Sequence, residues 1–277
     1  MVDGSRRTDV LPVGDLPTHG VVTIDLPVPK VALAVAAHPD DVEFGCGATL
    51  AKWAAGGCLI HHLVLTDGSK GTWSADDDLA ALVERRHREQ RQAARVLAGG
   101  AGAGGGVQFL DWPDGELEAG IVQRRQVCQV IRRVRPDVVL GHDPWRRYRL
   151  HPDHRNAGWL LTDGVVAARD PQFFPDLTEP PHRPTSMLLW EADEPNHVER
   201  ADGMLDVKVA ALLAHRSQHR STMGIEGTDP AGAGPEGDDL PADQLEAFRS
   251  VVEAQLAAHG RLAGLVAGEA FHLLTEL

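Results

Sequence analysis

Residues 30–37, KVALAVAA, place seven small apolar side chains in a row after Lys30 and lead directly into 38–43, HPDDVE, and 45–50, GCGATL. A half-exposed strand would alternate polar and apolar residues. An unbroken run of this length instead reads as a central parallel strand covered on both faces. The segment from about Gly45 to Ala55 reads as a helix, with Gly56-Gly57 as its stop. Strand, polar turn and helix in that order are the opening of a βαβ unit, and the rest of the chain is read outward from it.

The alternation continues downstream. Leu59–Leu65 reads as a second strand, and about Asp76 to Leu97 as a long helix whose first turn, Asp76, Asp77 and Asp78, is acidic as the helix dipole favours. Ala98–Gly106 is almost pure glycine and alanine and reads as a turn or loop, because glycine gives up too much backbone freedom in a helix. Strands are expected at Val107–Leu110, Asp137–Leu140 and Ser186–Trp190. Helices are expected over about Ala119–Val134, from His151-Pro152 onward, over Asp202–His215, and over about Ala242–Leu262. Residues 223–242, rich in glycine, proline and aspartate, read as a surface loop. Strands alternating with helices imply right-handed crossovers and a parallel sheet. The expected fold class is α/β, a single Rossmann-like domain with a mostly parallel sheet flanked by helices. An N-terminal arm or edge strand is expected over 1–29, the domain over 30–277, with a C-terminal helix. In such sheets ligands sit beyond the carboxyl ends of the strands, near a topological switch point.

Composition narrows the class further. With 277 residues, 43% of them hydrophobic, the chain can bury a large core, and no long linker divides it. Its apolar runs reach about seven residues, against the ~20 needed to cross a bilayer. The opening 20 residues lack the apolar segment of a secretory signal. A formal charge of −13 argues against nucleic acid as partner, since phosphate affinity comes from clustered cations. Cys46, Cys58 and Cys128 are odd in number and widely spaced, as expected of reduced thiols in a cytoplasmic protein. Histidine is abundant, at fourteen, and clustered.

Two clusters carry chemistry. His38-Pro39-Asp40-Asp41 follows the first strand and so occupies its carboxyl end. His38 and Asp41 suit one divalent cation and leave Asp40 free as a base; alternatively, either aspartate caps the next helix. His151-Pro152-Asp153-His154 opens a helix, with Pro152 at the first helical position and His151 as the cap. Residues three apart share a helix face, so both imidazoles can address one centre, or both are simply solvated. Taken together, His38, Asp41 and His154 make a three-ligand set with one position open to water, as catalytic zinc sites require. Asp40 and His151 remain as a base and a group for the developing oxyanion.

The stretch from Ala37 to Glu43 with Gly45–Leu50 resembles the opening motif of the LmbE-like (PIG-L) zinc-dependent N-deacetylases, and His151–His154 resembles their second metal motif. Leu65–Gly71 (LTDGSKG), Arg86 with Glu89, Pro113–Leu117 (PDGEL), Arg135–Leu140 (RPDVVL) and Lys208–Gln218 (KVAALLAHRSQ) match in the same order, so the resemblance spans about residues 31–219. Ala48 departs from the usual glycine pair. The resemblance implies a zinc-bound water attacking an N-acyl carbonyl, usually on an amino sugar. It implies His38, Asp41 and His154 as ligands to zinc (or iron, since these donors suit both), Asp40 as general base, and His151 as the cation or acid that stabilises the tetrahedral intermediate. It also implies that Asp114 meets a substrate hydroxyl and that His215 lines the site. The implied partner is a small N-acyl amino-sugar substrate, and homo-oligomerisation is left open.

Competing readings are weaker. Gly45-Cys46-Gly47 begins a dinucleotide fingerprint, but Leu50 stands where its third glycine belongs, and three acids would face the pyrophosphate. No G-x-S-x-G elbow is present. A non-catalytic metal- or ligand-binding module on the same fold is the alternative. His61-His62 lies within a strand and reads as structural, and Cys46 as a packing residue. In Asp143–Leu150, three arginines and two aromatics border the expected metal. They read either as a solvated loop paired with nearby acids, or as a rim in which Trp145 or Tyr148 stacks a sugar and Arg146 holds an anionic group.

Overall fold

The computed structural model describes residues 22–99, 105–226 and 240–277. The apolar run forms a strand, β2 (Val31–Ala36), between β3 (Leu59–Thr66) and β5 (Val138–His142), parallel to both. Leu33 and Val35 face one core with α3 (Ile121–Val134) and α4 (Pro152–Arg169). Ala32, Ala34 and Ala36 face a second core with α1 (Asp41–Ala55) and α2 (Leu79–Leu97). Burial on both faces is why the run does not alternate.

The remaining strands are β1 (Thr23–Ile24), β4 (Gly106–Trp112), β6 (Ser186–Trp190), β7 (His197–Arg200) and β8 (Gly268–Leu274). The sheet order is β1-β7-β8-β6-β5-β2-β3-β4. Every neighbouring pair is parallel except those made by β8, which runs antiparallel to β6 and β7. The expected mostly parallel α/β sheet is what forms, with α5 (Leu205–Leu213) and α6 (Ala242–Arg261) packed around a third cluster that includes Leu212, Phe248 and Val252. After β2 the chain builds β3 and β4 to one side, then returns to β5 on the other. The loops leaving β2 and β5 therefore open side by side at a switch point of the sheet.

Several expectations change. Strands β7 and β8 are not among the expected strands; Glu199, Glu269 and His272 interrupt their apolar pattern. The second helix starts at Leu79, not Asp76; Asp78 is its cap and accepts from the Ala80 and Ala81 amides, so the acidic first turn lies outside the helix. Residues 1–21, most of the expected arm, lie outside the described residues, as do 100–104 of the glycine loop and 227–239 of the surface loop. Cys46, Cys58 and Cys128 are free and buried. Among the described residues no helix is long and apolar enough to cross a membrane.

Helix α1 is broken near its start, and the break bears on the site. Cys46 leaves helical geometry (φ −149°, ψ 20°). A buried ion pair fills the gap: Lys208 Nζ lies 2.5 Å from Glu269 Oε1 and donates to the Phe44 carbonyl at 2.8 Å. The Glu269 carboxylate accepts the Ala48 and Thr49 amides at 3.0 and 2.7 Å. Backbone groups on both sides of the break thus keep their partners, as buried polar groups must. Gly45 lies against Trp190, where a Cβ would fall 2.6 Å from the ring. The turn carrying Asp41 and Glu43 is thereby set apart from the rest of the helix. Replacing Glu269 with leucine leaves Lys208 charged, buried and unpaired, and is expected to lower stability in denaturant unfolding by about 3–5 kcal/mol. A loss below about 1 kcal/mol, the level of an ordinary surface change, would contradict this account of the break.

Candidate metal centre and catalytic groups

The loop after β2 brings His38, Asp40 and Asp41 to the carboxyl edge of the sheet, and the start of α4 brings His151 and His154 to the same place. His38 Nδ1 lies 3.1 Å from His154 Nε2 and 3.3 Å from Asp41 Oδ2, and His154 Nε2 lies 3.3 Å from Asp41 Oδ1. Ligands about 2.0–2.1 Å from a tetrahedral ion sit roughly 3.3–3.4 Å from one another. The three expected ligands therefore converge, the two imidazoles at a distance close to that spacing and each facing a different oxygen of Asp41.

Donor and acceptor chemistry distinguishes the atoms. His38 Nε2 faces only carboxylates, Asp153 Oδ2 and Asp114 Oδ1, each at 3.2 Å, so that nitrogen carries a proton and Nδ1 is the one turned to the cluster. Metal-binding histidines are commonly oriented by a carboxylate on the other ring nitrogen in this way. Burial would lower the His38 pKa, but Asp114, Asp153 and Asp41 raise it well above its ordinary value. A cation entering the cluster would displace a proton. Asp153, at the second position of α4, is fully buried and also accepts the Gly115 and Leu117 amides. Burial opposes ionisation of Asp41, yet His154 and His142 hold its carboxyl well below the usual range.

His142 is a member that the sequence reading missed. It ends β5, is buried, and stacks on His154 with ring centroids 4.4 Å apart. The Trp190 indole N–H, which can only donate, points at His142 Nδ1 from 3.0 Å. The His142 proton must then sit on Nε2, which donates to Asp41 Oδ2 at 3.2 Å. The same oxygen accepts the His38 amide at 2.7 Å. His142 thus steers the Asp41 carboxylate, although its Nε2 is close enough to Asp41 and His154 to form a cluster of its own with them. Arg149 abuts His154 Nδ1 and also pairs with Glu191. Burial pushes the His154 imidazole down to about 4, the form a metal ligand needs.

Asp40 stands at the N-cap of α1 but makes no side-chain cap bond there, so the helix does not consume its carboxylate. It is buried, with Arg86 3.4 Å from Oδ2; burial pushes its pKa up to about 6 while Arg86 opposes the shift. Its backbone is in the left-handed region at φ 99°. His151, the α4 N-cap, stacks on His154 at 4.6 Å and meets His38 edge-on at 4.6 Å. Burial, with His38, lowers its pKa.

The weaker expectations fare differently. Asp114 is buried beside His38, with Oδ1 3.2 Å from His38 Nε2 and Oδ2 accepting the Lys70 amide at 3.0 Å. His215 is fully buried behind Asp40, 3.2 Å from Glu43 Oε2, and lines no open surface. In the rim loop Arg146 and Arg149 pair with Glu191 and Arg147 with Asp193, and of the three guanidinium side chains Arg147 is the most exposed. Trp145 is 55% exposed and packs edge-on against Trp159; Tyr148 is 93% exposed. His62 is buried within β3, as expected of a structural residue.

Comparison with known proteins fits this geometry. The PIG-L family model, described as GlcNAc-PI de-N-acetylase, matches residues 33–164. Diacetylchitobiose deacetylase of Thermococcus kodakarensis is 34% identical over 192 residues, covering 68% of this chain and 70% of the relative. A 1D-myo-inositol 2-acetamido-2-deoxy-alpha-D-glucopyranoside deacetylase of Saccharopolyspora erythraea is 33% identical over 167 residues, with 53% of this chain and 61% of the relative covered. Among solved structures, N,N'-diacetylchitobiose deacetylase from Pyrococcus horikoshii superposes with a TM-score of 0.74 at 25% identity, over 89% of this chain and 84% of that one.

The steering role of His142 has a measurable consequence. His142→Phe keeps the ring stack but removes the bond to Asp41. It is expected to weaken divalent-metal affinity by about 10- to 100-fold in chelator competition, the usual effect of losing a partner behind a ligand. Affinity equal to wild type would show that His142 does not orient Asp41.

Proposed function

The chain belongs to the PIG-L family of N-deacetylases, and from that premise we propose that His38, Asp41 and His154 hold one divalent cation beside Asp40 for hydrolysis of an amino sugar's N-acetyl group. The observation that carries the reading is the convergence of these three side chains at 3.1–3.3 Å, with the buried Asp40 carboxylate beside them, paired with Arg86 but not used as a helix cap. Zinc suits two imidazoles and a carboxylate, and iron is the second choice for the same donors. When bound, such an ion polarises the amide carbonyl and lowers the pKa of a coordinated water.

The protein's own groups supply the rest. Asp40 takes the proton from the attacking water, and its buried position next to Asp41 keeps that carboxylate poised to accept one. His151 stands against both histidine ligands and donates a hydrogen bond to the carbonyl oxygen as charge gathers there. The C–N bond then breaks, the proton held by the protein passes to the departing amine, and acetate and a free amino sugar leave. A carboxylate held ready as a base is what a non-catalytic metal-binding module would lack, and this favours the catalytic reading. With Arg146, Arg147 and Arg149 each paired to an acid, the exposed rings of Trp145 and Tyr148 are the groups available to a sugar face.

The roles separate by mutation. With N-acetylated mono- and disaccharides as substrates and released amine as readout, Asp40→Asn is expected to retain metal and lower kcat by roughly 10²–10⁴. His151→Ala is expected to retain metal and lose about 10²–10³ in kcat. Near-wild-type turnover in Asp40→Asn would remove Asp40 as the base.

A further inference from the structure

Asp40 stands in a backbone conformation that an L-residue with a side chain seldom adopts, φ 99° and ψ −26°. Such a residue persists only when its surroundings hold it there. Two residues one turn apart on α2 do so. Arg86 donates to the Pro39 carbonyl at 2.6 Å and to the Gly68 carbonyl at 2.8 Å. Gln90, fully buried, accepts the Asp40 amide on Oε1 at 2.9 Å. Its Nε2 donates to Glu43 Oε1 at 2.8 Å, and the other Glu43 oxygen lies 3.2 Å from His215 Nε2. The Gln90 amide cannot be turned over, because the Asp40 N–H only donates and the Glu43 carboxylate only accepts. Glu43 and His215 are buried too, so the chain from His215 to the Asp40 backbone is closed to solvent.

We propose that Gln90 is a positioning residue for the general base: locked by the Glu43–His215 pair, its amide oxygen holds the Asp40 turn in its strained conformation and so aims the Asp40 carboxylate at the metal centre. This rests on the reading of Asp40 as base, but the hydrogen bond itself is testable without any turnover. It also gives a role to the fully buried Glu43 and His215, which lie 3.2 Å apart: they fix which way the Gln90 amide faces.

The test removes the bond and then rebuilds it with reversed polarity. Gln90→Met deletes the acceptor at similar volume, and Gln90→Glu sets a second carboxylate against Glu43. Both are expected to retain metal, to leave KM within about twofold, and to lower kcat by roughly 10- to 100-fold, the scale of a misplacement of about one ångström. Hydrogen exchange followed by NMR is expected to show the Asp40 amide exchanging faster in both. The double variant Gln90→Glu/Glu43→Gln rebuilds the relay from His215 to Asp40, since the new carboxylate accepts from Asp40 and from the new amide at position 43, which in turn accepts from His215; the long 3.4 Å contact of the residue-90 amide with His62 Nδ1 is the one bond it does not restore. It is expected to recover kcat to within about threefold of wild type, the signature of coupled neighbours, and to restore Asp40 amide protection. If Gln90→Met folds with kcat and Asp40 protection unchanged, or if the double variant folds but stays at the level of Gln90→Glu in both readouts, the proposal is overturned. Should wild type release no amine from any N-acetyl sugar, the functional reading fails, and the Asp40 exchange data alone still decide the role of Gln90.

Discussion

The pairing of β2 with β5 is the constraint on which the rest depends. Paired strands lie about 4.7–4.9 Å apart, so the loops that leave their carboxyl ends must share one small volume. The chain comes to that pair twice, first through KVALAVAA and again after building β3 and β4. His38, Asp40 and Asp41 arrive with the first visit; His142, at the very end of β5, and then His151 and His154 arrive with the second. Residues 100 positions apart become neighbours because the backbone hydrogen bonds of two central strands leave them nowhere else to go.

Within that volume the side chains are sorted by what each can donate or accept. Trp190 can only donate, which fixes the proton of His142 on the nitrogen facing Asp41. Asp114 and Asp153 can only accept when ionised, which fixes the His38 proton on the nitrogen facing away from the centre. The outcome is a set of converging donor atoms whose protons, where they point inward, are the ones a cation would replace. The kink in α1 belongs to the same arrangement. Lys208 and Glu269 satisfy the backbone at the break, which separates the helical turn of Asp41 and Glu43 from the rest of α1.

What the sequence made legible was whatever is contiguous. HPDD and HPDH each carry ligand and helper within four residues, and the small apolar run before the first announces a covered strand. Residues whose role depends on distant contacts were not legible. His142 lies beyond the strand expected at Asp137–Leu140; β5 continues through Gly141, where a Cβ would press on Leu161 at 2.4 Å, and ends on His142. Gln90 looked like one more polar residue on a charged helix, and only the fold shows its amide beneath Asp40. His215 was placed at the site by its motif, and the structure sets it behind the base instead. Strand β8 escaped notice because Glu269, buried for the sake of a helix break, gives the strand a polar residue where a core position would be apolar.

The central claim is that His38, Asp41 and His154 form one metal site, although the same region also offers His38 with His151 and His154, Asp41 with His142 and His154, and His38 with Asp114 and Asp153. Anomalous diffraction from crystals of the zinc-loaded protein separates these directly. The account predicts a single strong peak about 2.0–2.2 Å from His38 Nδ1, an Asp41 oxygen and His154 Nε2, with His142 and Asp153 one shell further out. A peak bonded to His142 Nε2, or one lodged between Asp114 and Asp153 on the far side of His38, would contradict it.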